Sequence, residues 1–213
     1  MPRKSILMSL LAIAACALAL APTALASHRP ARASTHLAAG GCQIKANATL
    51  TPGLTVASET FSYHYTGKLY GCVYTGKHAG TSGVISAGEP IRIGSHLYQE
   101  PIPSGTGGCL NDETTGYDFA RWSNGTQTIV SFTTNGGSGG THLFGTIVPR
   151  LTLPAINPAP GAPKSTTFKT TQFLGQTAVG NLTFEAVDPA LCGSTGVTHA
   201  AITGLLGHVG LVS

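Results

Sequence analysis

From Cys42 onward, apolar and polar residues take turns along the chain. Cys42, Ile44, Ala46, Ala48 and Leu50 fall on one face, while Gln43, Lys45, Asn47 and Thr49 fall on the other. Successive side chains of an extended strand point to opposite faces, so this pattern predicts a half-buried β-strand. Phe61, Tyr63 and Tyr65 alternate in the same way with Ser62, His64 and Thr66. The parity carries on through Leu69, Gly71 and Val73, which predicts one long strand bent at its glycines. Pro52-Gly53 is expected to turn the chain between these two strands. Shorter strands are expected at 84–87, 91–93, 142–148, 150–153, 168–173, 182–186 and 197–211.

The strongest local signal is Arg121-Trp122-Ser123-Asn124-Gly125-Thr126-Gln127. Asn-Gly suits a two-residue type I′ turn, whose twist matches that of the paired strands. Such a loop sets Phe119 opposite Val130, Tyr117 opposite Phe132 and Trp122 opposite Gln127. Residues 135–140 are expected to form a glycine loop. Pro154, Pro158, Pro160 and Pro163 predict an extended connector at 154–164, because proline lacks the amide that a helix or central strand needs.

Composition closes off the alternatives. Only 9% of the chain is charged, too little Glu, Lys and Arg to cover the wet faces of a helical bundle. No stretch alternates strand with helix patterns, which excludes a Rossmann or TIM architecture. About 50 residues follow the connector, too few for a core of their own. The expected fold is all-β: a single antiparallel β-barrel or β-sandwich domain over 42–213, with a flexible N-terminal arm at 27–41.

Residues 1–26 read as a cleaved signal peptide. Arg3 and Lys4 precede an uncharged apolar run from Ile6 to Ala21, and Ala24-Leu25-Ala26 gives a small-x-small cleavage pattern. A second such triplet, Ala31-Arg32-Ala33, lies downstream. The rival reading is a lipobox, Ile13-Ala14-Ala15-Cys16, which would make the protein a lipoprotein anchored through Cys16. The residues after Cys16 stay apolar, which favours plain export to the cell envelope or exterior. Without the leader, ten basic residues face eight acidic ones, a net of +2 that is too small for a nucleic-acid footprint. No other apolar run is long enough for a transmembrane span.

Cys42, Cys72, Cys109 and Cys192 then remain, an even number that argues for two disulfides in an exported chain. The nearest two are 30 positions apart, far from zinc-ligand spacing. Cys42 opens one strand and Cys72 closes the next, and those ends meet in an antiparallel hairpin. The expected bridges are therefore Cys42–Cys72 and, by elimination, Cys109–Cys192. The second closes a loop of over ~80 residues, worth roughly 4 kcal/mol in the chain-entropy account.

No catalytic, cofactor or metal site can be assigned from the sequence. Gly136-Gly137-Ser138-Gly139-Gly140 has the Gly-x-Ser-x-Gly form, but no helix pattern follows it as a nucleophile elbow requires. Chymotrypsin-like proteases place an Asp before the serine, and Gly137 stands there. The eight histidines have no metal-ligand spacing, and His64, between Tyr63 and Tyr65, reads as a surface residue. The eight carboxylates read as solvated charge; Asp118 shares the Trp122 face of the hairpin but lacks a nameable partner for glycosidase chemistry.

These landmarks resemble small exported β proteins of actinobacteria that have no assigned activity. The resemblance is carried by Cys42, Pro52-Gly53-Leu54, Gly71-Cys72, Gly108-Cys109-Leu110, Arg121-Trp122 with Asn124-Gly125, Gly145-Thr146-Ile147, Leu182-Thr183-Phe184 and Cys192. It implies an exported single β domain and transfers no catalytic residue. Three functions are compatible with the sequence. The first is a non-catalytic extracellular or envelope protein that binds a small molecule, glycan or protein. The second is a protease inhibitor or stapled scaffold, using a loop such as Glu100-Pro101-Ile102-Pro103-Ser104. The third is a hydrolase with a dispersed site. A buried apolar cavity above about 300 Å3 favours small-molecule binding, a rigid protruding proline loop the second function, and two carboxylates in a cleft or a Ser–His contact within hydrogen-bond reach the third.

Overall fold

The computed structural model describes residues 36–75, 80–137, 140–186 and 188–212. The expected signal peptide, Cys16 and most of the arm lie outside these residues. Thirteen strands run in order: β1 (His36–Leu54), β2 (Glu59–Tyr74), β3 (Gly83–Ala87), β4 (Pro90–Ile93), β5 (His96–Gln99), β6 (Ser104–Gly107) and β7 (Asp112–Trp122). They continue with β8 (Gln127–Gly137), β9 (Gly140–Val148), β10 (Arg150–Pro154), β11 (Ser165–Lys169), β12 (Thr177–Ala186) and β13 (Val197–Val212). A short 3-10 turn, Pro189–Gly193, precedes β13.

Eight strands close a ring in the order β1-β13-β12-β9-β8-β7-β3-β2, with β2 pairing back onto β1. Every ladder is antiparallel. The short β3 spans only part of the gap between β2 and β7, and β6 fills the rest by pairing with both. The choice left open between barrel and sandwich is resolved as a barrel.

The inner face carries the alternation seen in the sequence. Ile44, Ala46, Ala48 and Leu50 meet Phe61, Tyr63, Tyr65 and Leu69 in the main core. A second core lies outside the wall. The hairpins β4–β5 and β10–β11 supply Ile91, Tyr98, Leu153 and Phe168 to cover the outward side chains Phe119 and Ile129. Phe119 and Phe168 meet edge-on at 5.3 Å between ring centres.

Several expectations need correction. The Asn124-Gly125 loop holds three residues, not two: Trp122 N donates to Thr126 O at 2.9 Å, and Gly125 N to Trp122 O at 3.0 Å. Only Gly125 takes positive φ, at 82°, while Asn124 Oδ1 accepts from Thr126 N at 3.1 Å. A type I turn followed by a left-handed glycine therefore replaces type I′. The pairing shifts by one residue, so Phe119 opposes Ile129, Asp118 opposes Val130 and Gly116 opposes Phe132. In a period-two strand that shift moves Val130 and Phe132 to the face opposite Phe119, which points outward with Ile129.

The parity of β2 also breaks. Gly71, at φ 59°, forms a bulge against Cys42, after which Val73 is exposed and Cys72 turns inward. Strand β1 begins at His36, so His36–Gly41, expected in the arm, pair with β13 instead. Pro52-Gly53 lies within β1, and the chain turns after Leu54. Gly136-Gly137 and Gly140 belong to strand ends rather than a loop, and Ser138 lies outside the described residues. The proline segment is a hairpin loop, not an extended connector, because β10 and β11 pair and Ala155 N donates to Lys164 O at 2.8 Å.

Phe119 is fully buried in the outer core. Phe119→Ala is expected to lower the unfolding free energy by about 3–5 kcal/mol in a urea titration. A loss below ~1 kcal/mol would show that the hairpins do not seal this face.

Candidate functional site

The two ends of the barrel differ. At one end Tyr74, Trp122, Phe173 and His208 pack ring on ring. Trp122 meets Tyr74 and Phe173 edge-on at 6.1 and 5.5 Å, and Phe173 stacks on His208 at 3.8 Å. Trp122 Nε1 donates to Thr128 Oγ1 at 2.9 Å, and His208 Nδ1 contacts Gln176 Oε1. Burial pushes His208 down to about 4, so the ring is neutral. Its Nε2 has no hydrogen-bond partner. Phe173 holds a left-handed φ of 63°, an unfavourable state for an aromatic residue that the surrounding ring contacts offset. Behind this plug only about 60 Å3 remains.

The other end is open, with a cavity of about 310 Å3. Its walls come from the last turns of β1 (Ala48, Leu50), the start of β2 (Phe61, Tyr63), the start of β7 (Asp112, Thr114), the end of β12 (Phe184, Ala186) and the start of β13 (Val197, Ala200). Small inward residues (Ala48, Ala186, Ala200) stand where the plugged end has large rings, which is why this end stays hollow. The rim is stapled. The Cys109–Cys192 bridge joins the segment before β7 to the 3-10 turn before β13. Cys109 N donates to Thr55 O at 2.8 Å and Val56 N to Cys192 O at 3.1 Å, tying the β1–β2 turn into the same frame. The other bridge, Cys42–Cys72, crosses the β2 bulge near the plug. Both pairings are those expected from the sequence, and they imply folding in an oxidising compartment.

A polar column runs down the interior from the mouth. Tyr63 Oη lies 3.0 Å from Thr114 Oγ1, which lies 2.7 Å from Thr134 Oγ1. One inward step further, Tyr65 Oη donates to Asp118 Oδ1 at 2.5 Å. Asp118 is nearly completely buried, and burial pushes it up to about 7 against the lowering effect of that hydrogen bond. Glu100 lies beyond the outward-facing Ser86, accepting from Ser86 Oγ at 2.8 Å and Glu89 N at 3.1 Å. Burial pushes it to about 7 as well. Burial likewise raises Asp112 at the mouth.

Sequence reasoning placed Asp118 on the correct face but treated the carboxylates as solvated; Asp118 and Glu100 are buried, which corrects that expectation. The available signal was an Asp at an inward parity position between Gly116 and Ala120. His64 does sit on the surface, where its Nδ1 meets Glu89 Oε1 at 2.6 Å. Among the described residues no three His, Cys, Asp or Glu side chains come together as a metal site. No described helix is long and apolar enough to cross a membrane. Compared with known proteins, the chain matches no family model, no curated relative and no solved structure.

Asp118 and Glu100 titrate higher in the fold than in the unfolded chain, so the native state keeps protons that the unfolded state releases. Their contribution to stability is complete below about pH 4 and is lost as pH rises to about 7. His208 acts oppositely, costing stability as pH falls from about 6.5 towards 4. The difference between Asp118→Asn and the parent isolates one group. The variant is expected to lose less stability between pH 5 and 8, by on the order of 2–4 kcal/mol. Identical profiles for the two proteins would contradict the burial of an ionisable Asp118.

Proposed function

We propose that this protein is an exported, non-catalytic β-barrel that binds a small, largely apolar molecule in its open mouth. One observation carries the reading: a cavity of about 310 Å3, open at a stapled rim and backed by a plugged far end. Eight-stranded barrels are wide enough to hold one small ligand, and such sites are mostly apolar with a few fixed polar groups. Leu50, Phe61, Phe184 and Val197 supply the apolar wall, and Tyr63, Thr114 and Thr141 supply hydroxyls. Export rests on the leader pattern and on the two disulfides.

The other functions have less support. The segment Glu100–Ser104 is anchored to the barrel rather than free, with Ile102 and Ser104 exposed. Glu100 and Pro103 are buried, and Pro103 O accepts from Tyr63 N at 3.1 Å, so the segment is strapped to the barrel wall. The hydrolase needs two carboxylates across one cleft, whereas Asp118 faces the interior and Glu100 packs against the outward Ser86.

N-phenyl-1-naphthylamine, an uncharged dye that brightens out of water, tests the reading. Saturable one-to-one binding to the mature protein is expected. Ala186→Trp, which adds bulk at the half-buried edge of the opening, should weaken binding at least tenfold with little change in melting temperature. Saturable binding that Ala186→Trp leaves intact would move the site elsewhere, and no binding would remove the proposal.

A further inference from the structure

We propose that the occupant of the mouth is a cationic amphiphile: an apolar body carrying an amine or similar positive group that pairs with Asp112. This rests on the mouth-binding reading and adds the chemical class of the ligand. Asp112 is the first residue of β7 and lines the cavity beside Phe61, Tyr63 and Thr114. Its side chain is half-buried and lies over Gly136, where an added Cβ would fall 1.7 Å from Oδ1. The glycine therefore leaves room for the carboxylate at the wall.

Among the described residues no side chain forms an ion pair with this carboxylate. The one ion pair among the described residues joins His64 and Glu89 on the outer surface. The cavity lining contains no Lys, Arg or His. No side-chain hydrogen bond from the described residues reaches Asp112, yet its oxygens are not sealed from solvent, since the single sealed and unpaired polar atom is His208 Nε2. The carboxylate is thus partly desolvated, open to the cavity and unpaired. Partial burial of an unpaired charge is unfavourable, and an entering cation relieves that cost. Asp118, deeper in the barrel, adds to the negative character of the interior. The Phe61 and Tyr63 rings, 6.1 Å apart, line the same wall, and aromatic side chains are favourable neighbours for a cation. A ligand carboxylate would meet Asp112 as a like charge, and a neutral ligand would leave it unpaired.

The test uses three probes with one naphthalene body, bearing an aminomethyl, a hydroxymethyl or a carboxylate group, titrated by fluorescence against the mature protein at pH 8. The amine is expected to bind at least tenfold tighter than the alcohol, and the carboxylate weakest. Asp112→Asn keeps the side-chain shape and should bring the amine to within about twofold of the alcohol, the amine losing at least fivefold more affinity than the alcohol does. Retained alcohol binding shows that this variant is folded. If the alcohol binds at the mouth and the amine binds no better, or if the preference survives Asp112→Asn, the cationic class is wrong while the mouth reading stands. If none of the three binds, or if Ala186→Trp leaves binding intact, the mouth reading fails and the inference with it.

Discussion

The ladder between β1 and β2 converts a sheet into a barrel. It runs from Gly40 opposite Tyr74 to Thr51 opposite Ser62, and it joins the two longest inward-facing apolar runs of the chain. Without it, β1 and β2 would each present an unpaired edge, and the inner face would open to water. Closure brings the two strands very close: a Cβ on Gly67 would lie 2.3 Å from Ala46 Cβ. Small residues at this seam are therefore a condition of the fold. Where the ladder slips by one residue at Gly71, the Cys42–Cys72 bridge spans the irregularity, with Cα atoms 4.0 Å apart. A covalent link at the weakest point of the closing ladder limits its opening.

Closure sets the limits for what the interior holds. An eight-stranded barrel has a lumen that side chains just fill, so whether a given level is solid or hollow depends on inward residue size. At the plug, Trp122, Tyr74, Phe173 and His208 close the lumen. At the mouth, alanines on β1, β12 and β13 leave it empty. Between them lie Tyr63, Tyr65, Thr114, Thr134 and Asp118, whose polar groups are hydrogen-bonded to one another. Satisfied pairs of this kind limit the cost of burying polar groups and fix side-chain positions.

Much of this was legible in the sequence, and the failures are instructive. The alternation in β1 and the first part of β2 gave the inner face directly, because those strands have one dry side and one wet side. The same reasoning failed around Phe119 and Ile129, because β7 and β8 are covered on both faces there. In Thr128-Ile129-Val130 every residue is at least partly buried, so alternation no longer signals which side faces the core. The hairpin register failed for a different reason. Asn124-Gly125 is compatible with two loops that differ by one residue, and the Asn124 side chain bonding to Thr126 N selects the longer. The Cys42–Cys72 pairing succeeded because it followed from strand direction, which a one-residue slip does not alter, and Cys109–Cys192 then followed by elimination. The mouth was not legible. Its lining comes from seven strands spread from β1 to β13, and no local motif records that they meet.

The scarcity of charge and the burial of carboxylates belong to one arrangement. Among the described residues no Lys or Arg forms an ion pair with Asp118 or Glu100. Asp118 instead relies on the Tyr65 hydroxyl and on a raised affinity for protons, and Glu100 relies on Ser86, a backbone amide and the more distant charge of Arg121. Both solutions leave the carboxyl about half protonated near pH 7, which lowers the cost of burying it. Among the described residues Asp112 has neither a bonded hydroxyl nor a basic side chain paired with it, and it stands where the lumen is open rather than where it is filled. The stability cost of leaving it so is tolerable because the stapled rim does not depend on its side chain: the Cys109–Cys192 bridge and the backbone bonds to Thr55 and Cys192 hold that end together. The framework and the carboxylate facing the cavity are therefore separable, and that separation is what a binding site requires of its scaffold.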